Sequence, residues 1–340
     1  MAARQGAPVI GAICNAGQDA AGLPAGNAVV SSLSRPERWQ ISVGYRWQRS
    51  FRHFRGDHEE AHRVEQGTEV ENKLHLFDFA ANYQLTPRWS FSASVPIMTV
   101  DRISHGPGTL TESSGIGDMS VGARFWLFRP PTESRQNIQI GLSLKLPTGN
   151  ANVTNLVGQS TIVVDQSIQP GDSGTGVTLD YTAFKSMGRF TLFSTGAYLF
   201  NPKNSYTPTG WNEVGDRPSG YPGYSREGTA YSVADQYLFQ AGAGYSIPSI
   251  NGLALTATGR IEGVPARDVF GGEDGFRRPG YAVSVGPGAM YARGKNIWSV
   301  SVPIAVYRNR TRSVSDIERG THGDAAFADY LILIGYSRTF

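Results

Sequence analysis

The sequence predicts an all-β fold, a transmembrane antiparallel up-and-down β-barrel of about twelve strands. Three observations predict it. Large apolar residues recur at every second position in a dozen separate segments, a two-residue period that no helix has. The connections between those segments run alternately long and short. The final stretch, FADYLILIGYSRTF, places Tyr330, Ile332, Ile334, Tyr336 and Phe340 on one parity, with Arg338 its only polar member.

Residues 1–35 are rich in Gly, Ala and Ser and hold no sustained period. They are expected to form an irregular N-terminal segment, disordered or tucked into a lumen, ahead of a barrel over 36–340. The first strand then alternates Trp39, Ile41, Val43, Tyr45 and Trp47 with Gln40, Ser42, Gly44 and Arg46. Phe77, Phe79, Ala81 and Tyr83 alternate with Leu76, Asp78, Ala80 and Asn82, and Trp89, Phe91, Ala93, Val95 and Ile97 follow a turn at 86–88. Met119 to Leu127, Ile138 to Leu146 and Val177 to Ala183 continue the pattern, with Asp118, Arg124, Lys145 and Asp180 on the polar parity. Residues 189–200 are apolar on both parities, so their facing stays open. Tyr237 to Tyr245, Leu253 to Ile261, Tyr281 to Tyr291 and Trp298 to Val306 precede the terminal strand. Each segment has about the 9–11 tilted residues that cross a bilayer.

The long connections are 51–72, 102–115, 150–175, 201–234, 265–279 and 308–326, and the short ones lie near 86–88, 129–136, 186–188, 248–252 and 292–296. Transmembrane barrels have short periplasmic turns and longer outer loops. An even strand count puts both termini on the short-turn side. The cause of closure is hydrogen bonding: in hydrocarbon every backbone group must pair within the protein, which leaves helices or a closed barrel, and the period excludes helices.

Composition fits. Charged residues are 17% of the chain, against ~25% in soluble domains. Mean hydropathy is −0.28, and no apolar run approaches the ~18 residues of a membrane-spanning helix. A net charge of +3 is too small to argue for nucleic acid. Arg outnumbers Lys about five to one, a skew that base composition of the genome explains most simply. Cys14 is the single cysteine, so no intrachain disulfide forms, and Ile13 is too large for a lipoprotein cleavage site. No apolar signal core follows Met1, so an exported chain has had its signal removed or replaced by an initiator Met.

The polar parity is mild, built from Ser, Thr, Gly and Gln with eight charges: Arg46, Asp78, Asp118, Arg124, Lys145, Asp180, Arg260 and Glu262. These are expected to line a pore. Four are acidic and four basic, which argues against strong ion selectivity; internal ion pairs that brace the lumen are the simpler expectation. His58-Glu59-Glu60-Ala61-His62 satisfies the zinc-protease pattern H-E-x-x-H, but its charged flanks offer no apolar helix face, and a solvated outer loop is expected instead. No metal or cofactor is assigned. Asp268, Glu273 and Asp274 offer hard oxygen ligands for Ca²⁺, with pairing to Arg277 and Arg278 the simpler outcome. Arg308, Arg310 and Arg312 share one face at an outer strand end and suit either lipopolysaccharide phosphates or Asp316 and Glu318. His75 and His105 belong to no hydrolase motif, so no catalytic residue is assigned.

Two stretches carry a family resemblance. Gly115-Ile116-Gly117-Asp118-Met119-Ser120-Val121-Gly122 and Leu144-Lys145-Leu146-Pro147-Thr148-Gly149 resemble the Gly-x-Gly-Asp and Leu-Pro-Thr-Gly elements of an outer-membrane β-barrel family named for the meta pathway of phenol degradation. The C-terminal Phe340, with apolar residues at alternate positions before it, also resembles the bacterial outer-membrane assembly signal, from which Arg338 departs. The family resemblance implies a twelve-strand barrel and uptake of small, aromatic or hydrophobic solutes. The expected function is therefore passive passage of such solutes through the bacterial outer membrane, in contact with membrane lipid and lipopolysaccharide. The alternative is a non-transporting structural or adhesive barrel whose long loops, above all 201–234, bind a partner protein.

Overall fold

The computed structural model describes residues 38–128, 134–202, 233–270, 277–318 and 320–340. The expected N-terminal segment 1–35 and nearly all of the 201–234 loop lie outside these. Twelve wall strands follow in order: β1 (Trp39–Arg55), β2 (Val70–Gln84), β3 (Trp89–Ser104), β4 in two pieces (Thr109–Ile116 and Ser120–Trp126), β5 (Gln136–Lys145), β6 (Gly176–Met187), β7 (Phe190–Phe200), β8 (Gln236–Ser246), β9 (Leu253–Val264), β10 (Gly280–Arg293), β11 in two pieces (Asn296–Ser301 and Ile304–Asn309) and β12 (Ala325–Thr339). Each pairs antiparallel with its sequence neighbour, and β12 pairs with β1 from Gln40↔Thr339 to Phe54↔Ala325. That last ladder closes the barrel and leaves no edge, as lipid requires.

The two parities divide as hydrocarbon outside and polar groups inside demand. Trp39, Phe91, Leu142 and Trp298 are exposed on the outer wall, while Ser42, Arg46, Asp78, Arg124 and Asp180 are buried inside. Aromatic pairs girdle the outer wall at the short-turn end: Trp39–Tyr83, Trp89–Phe125, Phe190–Tyr245 and Trp298–Tyr336. A second set, Trp47–Tyr330 and Tyr281–Tyr307, stands nearer the opposite end. Such girdles mark the two membrane–water interfaces. Arg338 belongs to the lower one: it faces outward opposite Ile41, its guanidinium 5.2 Å from the Phe340 ring centroid. There a long basic side chain reaches water past an aromatic. Segment 189–200 also settles, with Thr191, Phe193, Thr195, Ala197 and Leu199 buried inside and Phe190 and Leu192 exposed.

Several boundaries differ from the sequence-based expectation. The ladders run on past the upper aromatic pair Trp47–Tyr330: β1 reaches Arg55 and β2 starts at Val70, so the 51–72 connection shrinks. The 102–115 connection is mostly strand, with a turn at 105–108. Outside lipid a hairpin tolerates polar residues on both faces, so the apolar period fades while backbone pairing continues. Two wall strands break where the alternation gave no warning. Pro303, which cannot donate to a ladder, divides β11, and residues 117–119 divide β4.

Candidate functional site: the lumen and its inserted loop

The connection 150–175, expected outside, turns back into the barrel. It carries a small hairpin (Thr154–Val157 with Ser160–Val163) and a 3₁₀ turn (Gln166–Ile168). Val164 and Ile168 are fully buried against Leu74, Leu76, Met98 and Val100 on the inner faces of β2 and β3. That apolar seat is the reason for the insertion: six side chains leave water together. The run Thr161-Ile162-Val163-Val164 was the legible signal, since a solvated loop has no use for it.

The two motifs that carry the family resemblance build the clasp that returns this loop to the wall. Asp118, released from the ladder by the break in β4, accepts from Gly149 N at 2.9 Å and from Asp172 N at 3.0 Å. Thr148 Oγ1 donates to the Gly117 carbonyl at 3.1 Å and accepts from Met119 N at 2.8 Å. Lys145 Nζ donates to both Asp172 oxygens at 2.5 and 2.6 Å. A Cβ on Gly149 would run into the Gly171 backbone, and one on Gly171 into Gly149. These glycines are needed because the two chain segments touch. The Gly-x-Gly-Asp run is therefore a strand break and clasp, with no helix after it to hold a phosphate.

A second tether acts at the tip. Asp165 accepts from Arg278 Nη1 and Nη2 at 3.0 and 2.9 Å and lies 3.3 Å from Arg102. It also caps the 3₁₀ turn through Ser167 N at 2.9 Å. Burial alone would raise its carboxyl pKa, but Arg278 and Arg102 outweigh burial and hold it well below the usual carboxylate range. Ser113 Oγ donates to the Ile168 carbonyl. Asp165, Asp172, Arg102, Val164 and Ile168 were not singled out by sequence, because each acts only through a distant partner.

All eight charges expected along a pore lie on the inner side of the wall. Arg124 and Asp180, on strands separated by β5, meet at 3.1 Å, both nearly fully buried. The strand between them contributes Gly141, where any Cβ would collide with the Asp180 carboxylate. Arg46 of β1 reaches Glu262 of β9 through two contacts of 3.3 Å, and Arg260 joins the same carboxylate at 2.7 Å. Strands β10, β11 and β12 stand between β1 and β9, so this bridge spans part of the lumen. Asp118 and Lys145 belong to the clasp. Asp78 is buried and its Oδ1 has no hydrogen-bond partner among the described residues.

The remaining candidates resolve as structural. His58 and Glu59 lie in a two-residue strand against Phe54 and Arg55, whereas His62 opens a short helix (His62–Glu65). The two histidines thus share no helix, Glu59 is held by Arg52, and no cluster of metal-ligating side chains occurs among the described residues. Asp268 is gripped by Arg277 at 2.7 and 2.8 Å, and Glu273 and Asp274 lie outside the described residues. Arg308 and Arg310 are buried, so they do not offer a phosphate site. Arg308 meets Asp329 at 2.6 Å, Arg310 meets Asp316 at 3.1 Å, and Arg312 donates to the Thr321 and Asp316 carbonyls. Burial opposes ionisation of Asp316, yet hydrogen bonds from Ser313 and the Arg310 charge lower its pKa.

With this geometry in view, comparison with known proteins is informative. A family described as "Putative MetA-pathway of phenol degradation" matches residues 89–316, more than half of the chain and both clasp motifs. The chain belongs to this family. Among solved structures it resembles the COG4313 outer membrane channel from Pseudomonas putida F1, at 14% identity over 90% of this chain and 97% of that one, with a TM-score of 0.61. That likeness is one of fold. The P. putida toluene transporter TodX (10% identity, 92% of each chain, TM-score 0.38) and the translocator domain of autotransporter NalP from Neisseria meningitidis (11%, 98% of each, 0.46) superpose too loosely to bear on this chain. No curated protein matches it.

Proposed function

We propose that the chain is a bacterial outer-membrane channel for passive passage of small, uncharged, hydrophobic or aromatic solutes, and that the inserted loop is its constriction. The observation that carries this reading is the apolar seat inside the lumen, Leu74, Leu76, Met98 and Val100 under Val164 and Ile168. This contact pins the loop against the inner wall, which restricts the path to small solutes. The lumen charges support the same reading. Arg124–Asp180, Lys145–Asp172 and the Arg46–Glu262–Arg260 bridge hold these charges in ion pairs against the wall, so a passing ion would shed water with few free counter-charges to replace it. The paired inward charges act as wall braces and as this filter. Family membership and the channel fold agree with it.

Proteoliposome swelling with solutes of matched size tests the proposal. A neutral aromatic alcohol should enter faster than the corresponding aromatic sulfonate or ammonium salt. Equal rates for all three would reject discrimination by charge, and exclusion of the neutral compound would reject the proposal.

A further inference from the structure

The outer wall holds a groove of about 440 Å³ at the short-turn end of β5, β6 and β7. That volume is in the range of small-molecule sites. Its outward-facing members include Ile138, Leu192 and Gln136, all exposed, around the small residues Ala183 and Ser194, with exposed Phe128 at its foot. Lys185 stands in the same groove, exposed, with no ion pair among the described residues. Aromatic pairs of the lower girdle cover β1–β2, β3–β4, β7–β8 and β11–β12, whereas the outward positions at the lower ends of β5 and β6 are Gln136 and Ile138, and Ala183, Lys185 and Met187, with Phe128 the ring beside them.

We infer that this groove holds one acyl chain of a phosphate-bearing diacyl lipid from the periplasmic leaflet, with Lys185 on the lipid phosphate. The wall offers an apolar slot beside the lower aromatic girdle, and an exposed cation within it. An acyl chain meets the apolar lining, and the exposed ammonium meets the anion. The inference rests on this wall facing lipid. It is independent of whether the lumen conducts.

The test is native mass spectrometry of the full chain after graded delipidation from mixed phosphatidylglycerol and phosphatidylcholine. The wild type should retain one phospholipid per barrel and favour phosphatidylglycerol. Lys185→Gln should lose that preference several-fold. Ala183→Leu should fill the slot and lose the lipid itself. Both positions are on the outer wall, and heat-modifiable gel migration confirms that the barrels fold. A wild type that strips to bare or detergent-bound protein overturns the inference. So do variants that keep the wild-type lipid count and headgroup preference.

Discussion

Gly141 shows how a single residue without a side chain can admit a buried ion pair. Arg124 and Asp180 belong to strands that are not neighbours, and the Asp180 carboxylate lies where a Cβ on Gly141 would be. Gly141→Ala should therefore push the pair apart and cost about 1–3 kcal/mol, as overpacking does. Asp180→Ala should cost more, about 3–5 kcal/mol, because it leaves Arg124 buried without its carboxylate. Urea unfolding of the reconstituted barrel measures both, and equal stability of Asp180→Ala and wild type would contradict the bracing role. Glu262 makes a different prediction. Glu262→Gln leaves Arg46 and Arg260 facing one another without their shared anion, and the reversal potential in a salt gradient should shift toward anion preference. The parity that turned these charges inward was readable from sequence. Their partners were not, because pairing across strands depends on register, which the two-residue period does not specify.

The inserted loop is the element on which the account turns. Its seat is apolar, its clasp is made of Asp118, Lys145, Thr148 and Gly149, and its tip is held by Asp165. Gly149→Val should break the contact with Gly171 and free the loop, read as faster protease cleavage within 150–175 on the folded barrel. The pH response follows from Asp165. A carboxyl whose folded pKa is depressed contributes stability fully above its unfolded value, near ~4, and loses it as pH falls through the lower folded value. Loop protection should thus be constant from neutral pH down to about pH 4 and weaken only in stronger acid. Loss of protection between pH 7 and 5 would assign the tether to another group. The sequence showed this stretch as a long connection and placed it outside by analogy with barrel loops in general. Ile162, Val163 and Val164 argued otherwise, since three adjacent β-branched residues are costly to leave in water.

At the scale of the molecule, closure follows from hydrogen bonding and facing follows from solvent. Both were legible in the alternation of Trp39, Ile41, Val43 and Tyr45 and of its eleven counterparts. The breaks at 117–119 and at Pro303 were not, because a local interruption leaves the long-range period intact. The consequence is a barrel whose wall is continuous but whose lumen is narrowed by its own chain. If the barrel is a channel, that loop sets its aperture. Single-channel recording of the wild type beside a variant lacking 152–168 tests this most directly. The account predicts small conductance for the wild type and a several-fold larger one for the variant. Equal conductance in both, or none in either, would contradict it.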